Sequence, residues 1–169
     1  MREDTYMHTK NDIREAVVQK LRRDVEHLTA SLQRARQEVI EAPGRMQTRY
    51  DSARTELAWV ADGLAKRLDE AQRALRNMEA IRLDVPHSHV EIGALAMVTD
   101  GDGPAVSNAS LYMLVPNGGG MEFSVDGVRI TVISPESPLG RALLGASAGS
   151  IVTIRLGPTT RRLMVVEVA

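Results

Sequence analysis

Apolar residues recur in steps of three and four along two stretches of the sequence between residues 17 and 78. This spacing places apolar side chains on one helix face, as in a coiled coil. The first seam comprises Leu21, Val25, Leu28, Leu32, Ala35 and Val39, and the second comprises Tyr50, Ala53, Leu57, Val60, Leu64, Leu68, Ala71, Leu75 and Met78. Pro43 and Gly44 separate the seams, because proline cannot donate to the helix ladder and glycine tolerates a reversal. The pattern predicts an antiparallel helical hairpin, with arms of about 30 residues and about 45 Å.

The sequence differs before the first helix and after the second helix of this hairpin. Residues 1–10 are polar and lack periodicity, which predicts a frayed terminus, and Asn11 or Asp12 is the expected cap of the first helix. After Met78 the helical pattern fades, and Pro86 prevents helical continuation. His87 and His89 alternate within this segment, but without cysteine or a carboxylate cluster they indicate a polar connector and no metal site.

From residue 90 the apolar period changes to two, which predicts β-strands. The runs rich in valine and isoleucine are residues 92–99, 110–115, 122–133, 150–156 and 161–168. Asp126 and Gly127 predict a hairpin turn inside the third run. One short helix is expected where Pro138 opens a first turn and Gly145 ends it. The fold class is therefore α+β: a coiled-coil hairpin in residues 1–83, a linker in 84–89, and a small antiparallel sheet domain with one helix in 90–169.

Composition limits the functions available to this chain. With one Phe, one Trp and three Tyr among 169 residues, the core must be aliphatic, and no aromatic platform for single-stranded nucleic acid is present. The formal net charge of −1 gives no overall attraction to nucleic acid or anionic lipid. There is no cysteine, no apolar run long enough to span a membrane and no signal-peptide pattern. We expect a soluble cytoplasmic protein without a membrane partner.

Residues 133–145, ISPESPLGRALLG, carry a specific resemblance. The segment resembles the C-terminal domain of the GreA/GreB family of bacterial transcription elongation factors. The resemblance implies an FKBP-like fold for that domain, and docking at the rim of the RNA polymerase secondary channel while the coiled coil reaches towards the active centre. The residues that it marks for docking are Glu136, Ser137, Pro138, Leu139 and Arg141.

The hairpin tip departs from the cleavage-active members of that family. In those members, an Asp and a Glu three residues later help to hold a second magnesium ion. When Tyr50 is aligned with the family's tyrosine in the second arm, the resemblance places these positions at Pro43 and Met46, neither of which binds magnesium through its side chain. The tip residues of interest are Glu41, Pro43, Gly44, Arg45, Met46, Arg49 and Asp51. We expect a regulator that binds polymerase without stimulating cleavage, is not itself an enzyme and needs no cofactor. An active cleavage factor that uses Glu41 and Asp51 is the alternative.

Other functions remain open on the sequence alone. A coiled-coil adaptor or homodimer would need a second apolar stripe, for which Ile40 and Trp59 are the scattered candidates. A prolyl isomerase needs an aromatic-lined pocket, and the sheet domain contains only Phe123 and Tyr112 as aromatic residues. Within an elongation complex, the nascent RNA 3′ end is a further candidate partner, and any association with DNA would be indirect. The sequence does not decide between activation and inhibition of transcription.

Overall fold

A computed structural model describes residues 2–41, 48–101, 109–125 and 128–169. Two long helices come first, α1 (Arg2–Glu41) and α2 (Thr48–Glu79), and a six-stranded sheet with one short helix follows. The predicted fold class is confirmed. The predicted turns at Pro43 and Gly44 and at Asp126 and Gly127 lie outside the described residues. Among the described helices, none is both long and apolar enough to cross a membrane.

The chain forms two compact units, one of residues 18–76 and one of residues 1–17 with 77–169. In the first unit, which we call the helical hairpin, Leu32, Ala35 and Ala61 are buried together, with Leu64, Ala65 and Leu68 packed against them. Val60 was predicted to lie in this seam, and that assignment is wrong, because its side chain is 54% exposed. From Leu57, a step of four reaches Ala61 and a step of three reaches Val60, and only packing against the other arm decides between them.

The second unit includes the start of α1, so the prediction of a frayed N-terminus is also wrong. Helix α1 begins at Arg2, and Ile13 and Val17 are almost completely buried, as are the polar residues Thr9 and Lys10. Arg14 Nη2 donates a hydrogen bond to the carbonyl oxygen of Glu79, 2.9 Å away. The first turns are helical because they gain tertiary burial, which sequence periodicity in residues 1–10 does not reveal.

The sheet contains β1 (Leu95–Asp100), β2 (Ser110–Leu114), β3 (Glu122–Val125), β4 (Val128–Ile133), β5 (Ile151–Leu156) and β6 (Thr159–Val168). Its strand order is β3-β4-β2-β1-β6-β5. Four pairings are antiparallel, as predicted, but β2 and β4 pair in parallel, with Leu111 opposite Ile130. The prediction of an all-antiparallel sheet fails there because β3 takes the outer edge, so that β4 returns beside β2 in the same direction.

Both faces of the central strands are buried. On one face, Val98 and Leu114 share a core with Leu143 of the short helix α3 (Pro138–Leu143). On the other face, Leu95 and Met113 pair across β1 and β2, and both are at most 2% exposed. Central strands covered on both sides form a rigid support for the segments at the sheet edges.

Candidate functional site

Helix α3 is built by a compact local capping arrangement. Ser137 is the N-cap, with extended backbone angles, and its Oγ accepts a hydrogen bond from the Gly140 amide at 2.9 Å. The same hydroxyl donates to the carbonyl oxygen of Ser134 at 2.8 Å. Pro138 occupies the first turn, where the missing amide hydrogen costs nothing. This cap lets a helix of only six residues begin at a defined position.

The rest of α3 is fastened to the sheet domain. Leu143 is fully buried in the core, and the Gly145 amide donates to the carbonyl oxygen of Val90 at 2.7 Å. At Gly140, α3 comes very close to the backbone of Ser134. A Cβ on Gly140 would lie 2.7 Å from the carbonyl carbon of Ser134 and closer still to its oxygen. The predicted docking segment is therefore held by side-chain, backbone and steric constraints together.

The five predicted docking residues divide into two groups. Glu136, Pro138 and Arg141 are exposed around the start of α3. Ser137 supplies the cap, and Leu139 packs against the core. The first three residues are thus available to a partner, and the other two hold them in place.

Sequence reasoning missed one exposed residue on the outward side of α3. Leu144, the C-cap, is 49% exposed, whereas the preceding Leu143 is buried. Pro138, Arg141 and Leu144 follow one another at intervals of three, which places them near one helix face. The Leu-Leu pair in the sequence gives no signal for which of its members points outwards.

The predicted hairpin tip lies mostly outside the described residues. Pro43, Gly44, Arg45 and Met46 lie outside the described residues, and only the backbone of Arg49 and Asp51 is described, within α2. Glu41 is the exposed last residue of α1, and its Oε1 accepts a hydrogen bond from Gln37 Nε2 at 2.6 Å. The proposed roles of these residues stay predictions.

The segment expected to be a polar connector is attached to the sheet domain. The His87 side chain is 3% exposed, and its Nδ1 lies 2.8 Å from Oε1 of Glu91. His89 forms an isolated antiparallel bridge with Ser147, and its Nε2 lies 3.7 Å from Oε2 of Glu91. The hydrogen bond from His87 lowers the pKa of the Glu91 carboxyl below its ordinary value. The histidines therefore have a structural use that their spacing in sequence did not reveal.

The region around His87 and Glu91 bears on the metal and prolyl-isomerase alternatives. Within the part of the chain that the structure describes, no group of three or more metal-ligating side chains is placed to hold an ion. An open cleft of about 580 Å³ lies beside His87 and Glu91, with walls that include Ile81, Val85 and Ile92. The residues that line this cleft include no Phe, Tyr or Trp, whereas a prolyl-isomerase pocket of the expected kind needs such aromatic walls.

One family model matches part of this chain. Residues 122–169 match the family model described as transcription elongation factor, GreA/GreB, C-terminal. This range contains the capped helix α3 together with β3 to β6. Curated protein sequences include no match to the chain.

Solved structures to which the chain is similar include two of Gfh1 and one of a GreA/GreB factor. The structure of the transcription factor Gfh1 has 20% sequence identity to this chain and a TM-score of 0.36, and the match covers 89% of this chain and 92% of the Gfh1 chain. Gfh1 from Thermus aquaticus is 17% identical, with coverages of 91% and 94% and a TM-score of 0.36. The GreA/GreB factor from Nitrosomonas europaea is 18% identical, with coverages of 59% and 78% and a TM-score of 0.35. At these identities and TM-scores, the three structures assign no function to this chain.

Proposed function

We propose that the protein binds bacterial RNA polymerase and regulates elongation, because residues 122–169 match the model of the GreA/GreB transcription elongation factor C-terminal domain. The sheet domain docks at the rim of the secondary channel, and the tip of the helical hairpin enters the channel towards the active centre. The observation that carries the proposal is the family match over the segment that contains α3. A factor that acts on polymerase works in the cytoplasm.

The docking surface that we propose is formed by Glu136, Pro138, Arg141 and Leu144. All four are exposed, and they surround a helix that the Ser137 cap and the buried Leu143 hold rigidly. A charged rim around small apolar contacts is the usual composition of a protein interface. Because the helix is preorganised, binding loses little conformational entropy.

A binding titration with core RNA polymerase tests this surface. Glu136→Arg combined with Pro138→Ala is expected to weaken binding at least about tenfold, since charge reversal and loss of an apolar contact act together. Glu122→Arg is a matched control, because Glu122 is an exposed acid on β3 with only a 3.9 Å ion pair to Arg129. Equal affinity of the double variant and the control would refute the docking surface.

We further propose that the protein does not stimulate transcript cleavage. A second magnesium ion requires oxygen donors at the tip. The resemblance implies that the family's acidic positions correspond to Pro43 and Met46 when Tyr50 is aligned with the family's tyrosine. Arg45 lies between them, and its charge would repel a cation by the same Coulomb interaction through which a carboxylate attracts it. The channel would then be occupied without the usual cleavage chemistry.

The test is transcript cleavage in a backtracked elongation complex at fixed magnesium. The wild-type protein is expected to leave the cleavage rate unchanged and to compete with an active Gre factor. Stimulation that is abolished by Glu41→Ala or Asp51→Ala would overturn this part of the proposal and make those acids the functional pair. Docking is measured separately by the titration, so failure of one part does not hide the outcome of the other.

A further inference from the structure

One face of the helical hairpin exposes apolar side chains that its own seam does not use. Trp59 is 70% exposed and Val60 is 54% exposed on α2. Gly63 follows one turn later, and a Cβ added there would meet nothing within 4 Å. Two exposed large apolar residues therefore lie near one helix position that carries no side chain, which we call the Gly63 groove.

Gly63 has no evident use inside a single copy of the chain. Glycine is among the least favourable residues in a helix interior, and alanine would fit here without a clash. Glycine on a helix surface allows another chain to approach the backbone closely. The position is therefore better explained by a partner than by the fold of the hairpin.

The residues around this groove form a self-complementary stripe. Glu56, Val60, Gly63 and Arg67 follow at intervals of four, three and four, so they lie on one face of α2. If two copies of α2 pair antiparallel about a two-fold axis, Glu56 lies opposite Arg67 and Val60 lies opposite Gly63. Opposite charges then meet at both ends of the stripe. In the middle, Val60 of each copy lies against Gly63 of the other copy.

We propose that a second copy of this chain occupies the stripe, giving a symmetric antiparallel dimer through α2. Trp59 borders the stripe and covers the partner copy's Gly63 region. Charge complementarity favours a second copy, because the stripe supplies both members of each ion pair, and neither Glu56 nor Arg67 forms an ion pair with another described residue. An isologous contact about a two-fold axis gives a closed dimer and no longer assembly.

The expected dimer is weak. A contact between single helix faces buries less than the roughly 1,200 to 2,000 Å² of a stable interface, so the dimer forms and dissociates readily. Exposed ion pairs add modest free energy and mainly select the antiparallel orientation. This contact is independent of the docking surface on α3.

Fluorescence of Trp59 provides a direct assay, because it is the only tryptophan in the chain. The emission maximum is expected to shift to the blue as the protein concentration rises from about 1 µM to about 1 mM, a range that covers weak dissociation constants. Sedimentation of the same samples should show a monomer and dimer equilibrium. A constant spectrum and a constant monomer mass over this range would overturn the proposal. So would a blue shift that appears only when core polymerase is added, since the partner would then be polymerase.

Charge reversal tests the pairing itself by sedimentation. Glu56→Arg and Arg67→Glu should each weaken the dimer about five- to tenfold, because each places like charges at both ends, and the double variant should restore wild-type affinity. Lys20→Asp with Asp24→Lys is the matched control, since it inverts an exposed ion pair on α1 and should leave association unchanged. Failure of the double variant to recover would refute the antiparallel alignment.

Gly63→Ala separates association from folding. The added methyl group should raise the melting temperature of the hairpin while weakening the dimer about threefold or more, because it fills the groove. A role for Gly63 in the fold alone would instead lower the melting temperature and leave association unchanged, which would contradict the proposal.

Discussion

Gly140→Ala is the substitution for which the structure makes the most specific prediction. A Cβ at this position would lie 2.7 Å from the carbonyl carbon of Ser134 and 2.9 Å from Oγ of Ser137. The first of these atoms is backbone and the second is the capping hydroxyl, so neither can move away without disturbing the start of α3. The expected consequence is displacement of the helix and loss of its cap.

The magnitude follows from three contributions. Overpacking costs about 1 to 3 kcal/mol, and loss of the Ser137 cap costs about 1 kcal/mol. Alanine regains about 1 kcal/mol of helix propensity relative to glycine. The net loss is about 2 kcal/mol, which for a chain of this size lowers the melting temperature by about 4 to 8 °C.

Thermal unfolding followed by circular dichroism at about 1 µM protein measures this effect without interference from weak self-association. Gly63→Ala is the control, because it is the same substitution in a helix with open space around the new methyl group, and it should raise the melting temperature by about 2 to 4 °C. A melting temperature for Gly140→Ala that equals or exceeds that of the wild type would refute the steric reasoning. A loss of polymerase affinity beyond the fraction unfolded would further support α3 as the docking segment.

Three further predictions concern the hairpin and two ionisable groups. Leu32→Ala should destabilise the protein by about 2 to 5 kcal/mol in urea unfolding, because Leu32 is only 6% exposed. Val60→Ala should destabilise it by less than about 1 kcal/mol. Equal losses of stability would mean that Val60 lies in the seam. The hydrogen bond from His87 lowers the pKa of Glu91 below 4.5 in the folded state, so the stabilising contribution of Glu91 is complete above pH 4.5 and is lost as the pH falls through the folded pKa. Glu91→Gln should flatten this part of the curve of stability against pH, and an unchanged curve would contradict the assignment. Burial lowers the pKa of Lys10 below 10.5, so the folded state binds fewer protons than the unfolded state, and stability should rise with pH from the folded pKa to 10.5. Lys10→Met should raise the melting temperature at neutral pH. A lower melting temperature would show that the ammonium group is stabilised in the fold.

Local sequence determined the elements that depend on neighbouring residues. From residue 17 onwards, the repeat of apolar residues defines the two long helices, since residues three and four apart share a helix face whatever surrounds them. The Ser-Pro segment defines the start of α3, because Ser137 and Pro138 act within a single turn. The strands follow from alternation over a few residues. The docking residues were named from the resemblance of residues 133–145 to a family, and their role stays a prediction.

Only the tertiary structure decided which surfaces are covered. The same apolar repeat is compatible with Val60 or Ala61 in the seam, and packing against α1 buries Ala61. Polar residues 1–10 carry no helical period, yet Thr9 and Lys10 are buried because their unit includes the sheet. The parallel pairing of β2 with β4 depends on β3 taking the edge, and the burial of His87 depends on its hydrogen bond to Glu91 and its packing on the domain. These outcomes involve residues far apart in the chain, and their energies depend on partners that a local pattern does not contain.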